Sequence, residues 1–93
     1  MRDELTLQKA LMQADRGDVA GAETTLRRLL TTSLDEILRV RVLVVLGDLL
    51  SGHDDQASRD MLAEAVELVG RIEDADDLID LELDRARELL ADG

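Results

Sequence analysis

Ser33-Leu34-Asp35-Glu36-Ile37-Leu38-Arg39-Val40-Arg41-Val42-Leu43-Val44-Val45-Leu46 is the stretch on which the fold turns. Its β-branched valines and the two arginines among them give it the look of a strand. Two features point to a helix instead. Ser33 and Glu36 have the S-x-x-E form of a capping box, in which the serine accepts from the glutamate backbone N–H and the glutamate side chain reaches back. Apolar residues then run on through Leu49-Leu50 with no hairpin turn to interrupt them. Read as a helix, the segment is apolar nearly all round, with Arg41 and Asp48 marking a narrow exposed stripe. It is expected to be the central and most buried element.

The flanking sequence carries no proline, so Gly, Asp and Ser must punctuate it. The turn signals are Gly17-Asp18, Thr31-Thr32-Ser33, Ser51-Gly52-His53-Asp54-Asp55 and Glu73-Asp74-Ala75-Asp76. They leave five segments, each long enough for a helix. In the first, about 3–16, Leu7, Ala10, Leu11 and Ala14 share one face by helical spacing, and Leu5 and Met12 lie on another side. The second, about 18–32, sets Val19, Ala22, Leu26, Leu29 and Leu30 against Thr24, Arg27, Arg28 and Thr31 on the opposite face. The fourth, about 55–72, has a wide apolar face of Ala57, Met61, Leu62, Ala65, Val66, Leu68, Val69 and Ile72. The fifth, about 76–91, turns Ile79, Leu83, Ala86 and Leu90 inward. Its Leu78, Leu81 and Leu89 fall toward the other side, more leucine than a lone terminal helix needs, which points to a partner, a dimer interface or a missing next helix.

Sliding the chain by 35 residues places Gly17 on Gly52, Ala22 on Ala57, Leu26 on Met61, Leu11 on Leu46 and Ala14 on Leu49. Each copy reads as a helix, a glycine turn and a second helix beginning near a small residue. Gly17-Asp18-x-x-x-Ala22-x-x-x-Leu26, with Leu46-Gly47 and Gly52 through Ala57 in the second copy, resembles the tetratricopeptide repeat family, whose units are helix pairs of about 34 residues. The resemblance implies two helix hairpins and a fifth helix capping the stack, an all-α fold of about five antiparallel helices in a single domain over residues 1–93. It also implies a surface that binds proteins. The chain departs from the family pattern: no aromatic fills the large positions, the proline after the second helix is missing, and Leu46-Gly47 sits two residues too close to the next turn. A plain five-helix bundle fits the same segments. The ending Leu89-Leu90-Ala91-Asp92-Gly93 resembles the point where a next repeat turn would begin.

Composition narrows the function classes. The 93 residues include no aromatic side chain and no cysteine, and 45% are hydrophobic. Stacking platforms, thiolate metal sites and thiol nucleophiles are therefore excluded. The net charge of −11 is unevenly placed: residues 1–53 hold eight acids and seven bases, residues 54–93 fourteen acids and four arginines. A field of that sign repels phosphate backbones and anionic lipid and attracts basic surfaces. The longest apolar run, Val42–Leu46, is far short of a membrane span. Met1-Arg2-Asp3-Glu4 lacks an apolar signal core, so a cytoplasmic location is expected. Arginine used almost to the exclusion of lysine points to a GC-rich bacterial source.

Candidate chemistry is sparse. His53 beside Asp54 and Asp55 invites a metal reading, but a glycine turn before a helix uses aspartates as caps, and no second ligand cluster is evident. Ser33, Ser51 and Ser58 have no histidine base at motif spacing. Thr32-Ser33-Leu34-Asp35 bears some likeness to the Asp-Ser-Leu motif of acyl carrier proteins, with Thr32 in place of the aspartate and with Arg39 and Arg41 where carriers are acidic. The expectation is a non-catalytic protein-interaction module without cofactor or metal, taking a protein or peptide partner, one with a basic surface steered by the acidic half. Self-association into a homo-oligomer is the alternative, and a carrier modified at Ser33 a third. The residues expected to meet a partner are Leu5, Met12, Leu78, Leu81 and Leu89, with Arg41 and Asp48 as a polar bracket.

Overall fold

The computed structural model describes residues 2–32, 34–71 and 84–91. The protein is all-helical: α1 (Arg2–Asp15), α2 (Val19–Leu30), α3 (Glu36–Leu50) and α4 (Asp55–Val69) are followed by helical residues 84–91, and no strand occurs among the described residues. The chain divides into two compact units, Met1–Leu34 and Asp35–Gly93.

In the first unit α1 and α2 pack as a hairpin. The turn follows from Gly17, whose φ of +86° is open to glycine at little cost. Asp18 N–H donates to the Gln13 carbonyl at 2.8 Å and Gly17 N–H to that of Ala14 at 3.0 Å, the paired bonds of a Schellman ending. Asp18 then starts the next helix, its carboxylate accepting from Gly21 N–H at 3.0 Å. Leu7 and Ala10 of α1 and Ala22, Leu26 and Leu29 of α2 are buried. Between the helices Thr25 Oγ1 donates to Gln13 Oε1 at 2.8 Å. Leu11, expected inward, is exposed instead. It lies 100° around the helix from Ala10, outside the narrow strip that α1 buries.

In the second unit α3 packs on α4. The helical reading of the valine-rich stretch holds. Each valine costs roughly 0.5 kcal/mol of helix propensity relative to alanine, whereas fully burying one gains roughly 1.5 kcal/mol or more. Val40, Val42 and Val44 are all buried, with Leu38, Leu43, Leu46 and Leu50, so burial wins. The start of α3 differs from the capping-box expectation. Asp35 is the N-cap, its carboxylate accepting from Ile37 N–H at 2.9 Å, and the helix begins at Glu36. Ser33 lies outside the described residues.

Gly52 also takes a left-handed φ, +90°, but in a different turn. Ser51 has φ −59° and ψ 124°, and His53 N–H donates to the Leu50 carbonyl at 2.9 Å, a type II turn with glycine where φ must be positive. This turn holds one residue more than the first before its helix cap, Asp54. The two caps, Asp18 and Asp54, are thus 36 residues apart, although the two glycines are 35 apart. The matched buried positions shift with them: Ser58 and Leu62 take the places of Ala22 and Leu26, and Ala57 and Met61 are only half-buried.

α3 and α4 meet most closely at Gly47. A methyl group there would sit 2.6 Å from Leu62 Cγ and 3.3 Å from the Ser58 carbonyl oxygen. Ser58 Oγ donates to the Gly47 carbonyl at 2.6 Å, which lets a polar residue lie in the interface. Ala86 is fully buried, and Arg85 reaches Asp48 on α3.

Candidate interaction surfaces

α1 has two faces with opposite fates. The strip through Leu7 and Ala10 is buried, while Arg2, Leu5, Lys9, Met12 and Arg16 are all exposed. These five recur at alternating spacings of three and four, so they form one stripe, two apolar side chains interleaved with three cations. Leu5 is 65% exposed and Met12 54%, as the spacing in the sequence predicts for that side of the helix.

Where the start of α1 meets the end of α2, the same stripe borders an open groove of about 480 Å³. Leu5 and Leu29 supply its apolar surface, and Arg2, Lys9 and Arg28 stand around it. Asp3, Thr6 and Thr32 complete the lining. Thr6 Oγ1 donates to the Arg2 carbonyl at 2.9 Å and Thr32 Oγ1 to the Leu29 carbonyl at 2.7 Å, so each hydroxyl proton is held by backbone. Asp3 is the groove's single acid against three cations, and none of Arg2, Lys9 and Arg28 is ion-paired among the described residues. The groove is therefore a cationic slot with an aliphatic surface. It suits a ligand that presents carboxylates beside apolar side chains.

The other predicted contact residues lie in the second unit. Asp48 is exposed, and its Oδ1 accepts from Arg85 Nη2 at 3.0 Å. Arg85 also pairs with Glu88 at 3.1 Å. Both partners of the Arg85–Asp48 pair are nearly half exposed, which limits it to about 1 kcal/mol or less. Arg41 and Leu89 are half-buried. Leu78 and Leu81 lie outside the described residues. The outer face of α4 carries Gln56, Asp60, Ala63, Glu64 and Glu67, all exposed, so it is acidic but has no large aliphatic side chain.

The cations of the groove were not among the expected contact residues, although the 2-5-9-12-16 spacing could have revealed the two on α1, Arg2 and Lys9. Arg28 could not be found that way, because its place beside Leu5 depends on which ends of two helices meet. His53 is exposed in the second turn, and no cluster of three or more metal-ligating side chains forms among the described residues. No described helix is long and apolar enough to cross a membrane. No family model, curated protein or solved structure matches the chain.

Proposed function

We propose that the protein is a non-catalytic interaction module, a pair of helical hairpins of the tetratricopeptide-like kind that binds another polypeptide. The observation that carries this reading is the cationic, leucine-bearing groove of α1 and α2, open to solvent and continuous with the stripe that ends in Met12 and Arg16. Isolated exposed leucines are ordinary on a protein surface. An exposed leucine beside three cations and a single acid in a concave site is the pattern of a binding groove, where aliphatic anchors supply affinity and charges choose the partner. Left-handed glycines in both hairpin turns support the repeat-like reading. The spacing of 36 between caps departs from the family's usual length by about two residues.

No cofactor, membrane or nucleic acid enters this reading. The net negative charge of residues 54–93 suits the steering of a basic partner, while the groove favours an acidic one. A photo-cross-linking side chain placed at Leu5 tests the function. An adduct of defined mass at position 5, absent when the same group replaces Thr24 on the exposed face of α2, is expected. Equal background at both positions would remove the groove as an interaction site.

A further inference from the structure

We infer that the occupant of the α1–α2 groove is a second copy of this chain, which inserts its residues 73–84. The inference rests on reading the groove as an interaction surface and adds the identity of the partner.

The groove offers Arg2, Lys9 and Arg28 around Leu5 and Leu29. Its occupant must bring several carboxylates interleaved with aliphatic side chains, and no competing cations. The described acids of the second unit do not meet that demand. Asp54 caps α4, and Asp55 accepts from Gly52 N–H at 3.0 Å. Asp60, Glu64 and Glu67 are exposed but have only Ala63 beside them as an apolar neighbour on the outer face. The segment Glu73-Asp74-Ala75-Asp76-Asp77-Leu78-Ile79-Asp80-Leu81-Glu82-Leu83-Asp84 does meet it, with seven acids, no base and, beside the Ile79 and Leu83 that helical spacing turns inward, Leu78 and Leu81 as large aliphatic residues. No other stretch of the sequence combines such a run of acids with large aliphatics and lacks a base.

Each copy has one groove and one such segment. Each groove–segment contact joins unlike surfaces, so the copies either close as a two-fold reciprocal pair or continue head to tail from copy to copy. The contact also gives a use to Leu78 and Leu81, two of the leucines that helical spacing sets off the inward face of the last segment.

The test is the solution mass of the intact chain, by light scattering and sedimentation, from micromolar to millimolar concentration at moderate salt. The wild type should gain mass with concentration. A groove variant, Lys9→Glu with Arg28→Glu, and a segment variant, Asp76→Asn with Asp77→Asn and Asp80→Asn, should each associate about tenfold more weakly or less. Mixed in equal amounts, the two variants should recover association and stop at pairs, because one retains the only intact segment and the other the only intact groove. A wild type that keeps the mass of one chain throughout would overturn the inference, as would a mixture that fails to pair or an association that survives the groove reversal. Lys9 and Arg28 are exposed, so helix content by circular dichroism should match the wild type. Should reversal unfold the chain, Lys9→Gln with Arg28→Gln must still weaken association in the folded protein. A monomeric wild type whose position-5 cross-link captures a different protein would leave the interaction module standing and end self-association. Equal cross-linking at positions 5 and 24 would end the module itself.

Discussion

Gly47 is where a single side chain decides how two helices meet. Adding a methyl group brings it against Leu62 at less than van der Waals distance, and the Ser58 backbone behind it cannot yield as a flexible chain end does. Alanine would gain about 1 kcal/mol of helix propensity but force a shift of the sort that costs roughly 1–3 kcal/mol in packed interiors. Gly47→Ala is accordingly expected to destabilise by about 1 kcal/mol, read as a lower midpoint in urea with an unchanged slope. A rise in the midpoint would show that α3 and α4 have room to separate. Ser58→Ala loses the bond to the Gly47 carbonyl, which still accepts from Ser51 N–H at 3.1 Å. No buried acceptor is orphaned, so the loss should be about 1 kcal/mol rather than several. Asp18 and Asp54 perform the same capping task in different turns. Alanine at either should cost about 1 kcal/mol in the same measurement.

At the scale of the element, α1 is a helix with a core face and a free face, and substitutions should separate the two. Leu5→Asp and Met12→Asp place a charge in solvent, so thermal midpoints should move little while any groove complex is lost. Leu26 is fully buried, and Leu26→Ala should cost roughly 2–5 kcal/mol. A large loss of stability from Leu5→Asp would mean that this face is covered in the free protein. Residues 84–91 pose the same question with a different answer. Ala86 is buried while Leu89 is only half-buried. Leu81→Asp and Leu89→Asp are expected to leave the helical signal intact and abolish complex formation; unfolding of either would assign those leucines to the core.

At the scale of the molecule, a net charge of −11 opposes any union of two copies. For centres roughly 30 Å apart the repulsion is roughly 6 kcal/mol at an ionic strength of about 0.01 M and roughly 0.4 kcal/mol at about 0.15 M. The contact charges of the groove act over a few ångströms and are screened appreciably only at higher salt. Self-association should therefore strengthen from low to moderate ionic strength and weaken again toward about 1 M. Light scattering across a salt series checks this. Steady strengthening up to the highest salt would show that aliphatic contact alone holds the copies together.

The sequence by itself determined that the chain is helical, that it turns at Gly17 and Gly52, that α3 is the most buried of the described helices, and that Leu5 and Met12 lie off the core face of α1. Each of these depends on periodicity or on turn chemistry, which act within a few residues and are legible in a single chain. Tertiary structure decided the rest. The cap of α3 fell to Asp35, whose carboxylate accepts from Ile37 N–H. Whether Ala57 or Ser58 entered the core depended on a turn longer by one residue, and a single residue rotates a helix by 100°. The close approach at Gly47 and the gathering of Arg2, Lys9 and Arg28 around Leu5 and Leu29 arise from residues distant in sequence brought together by packing, which no local pattern specifies.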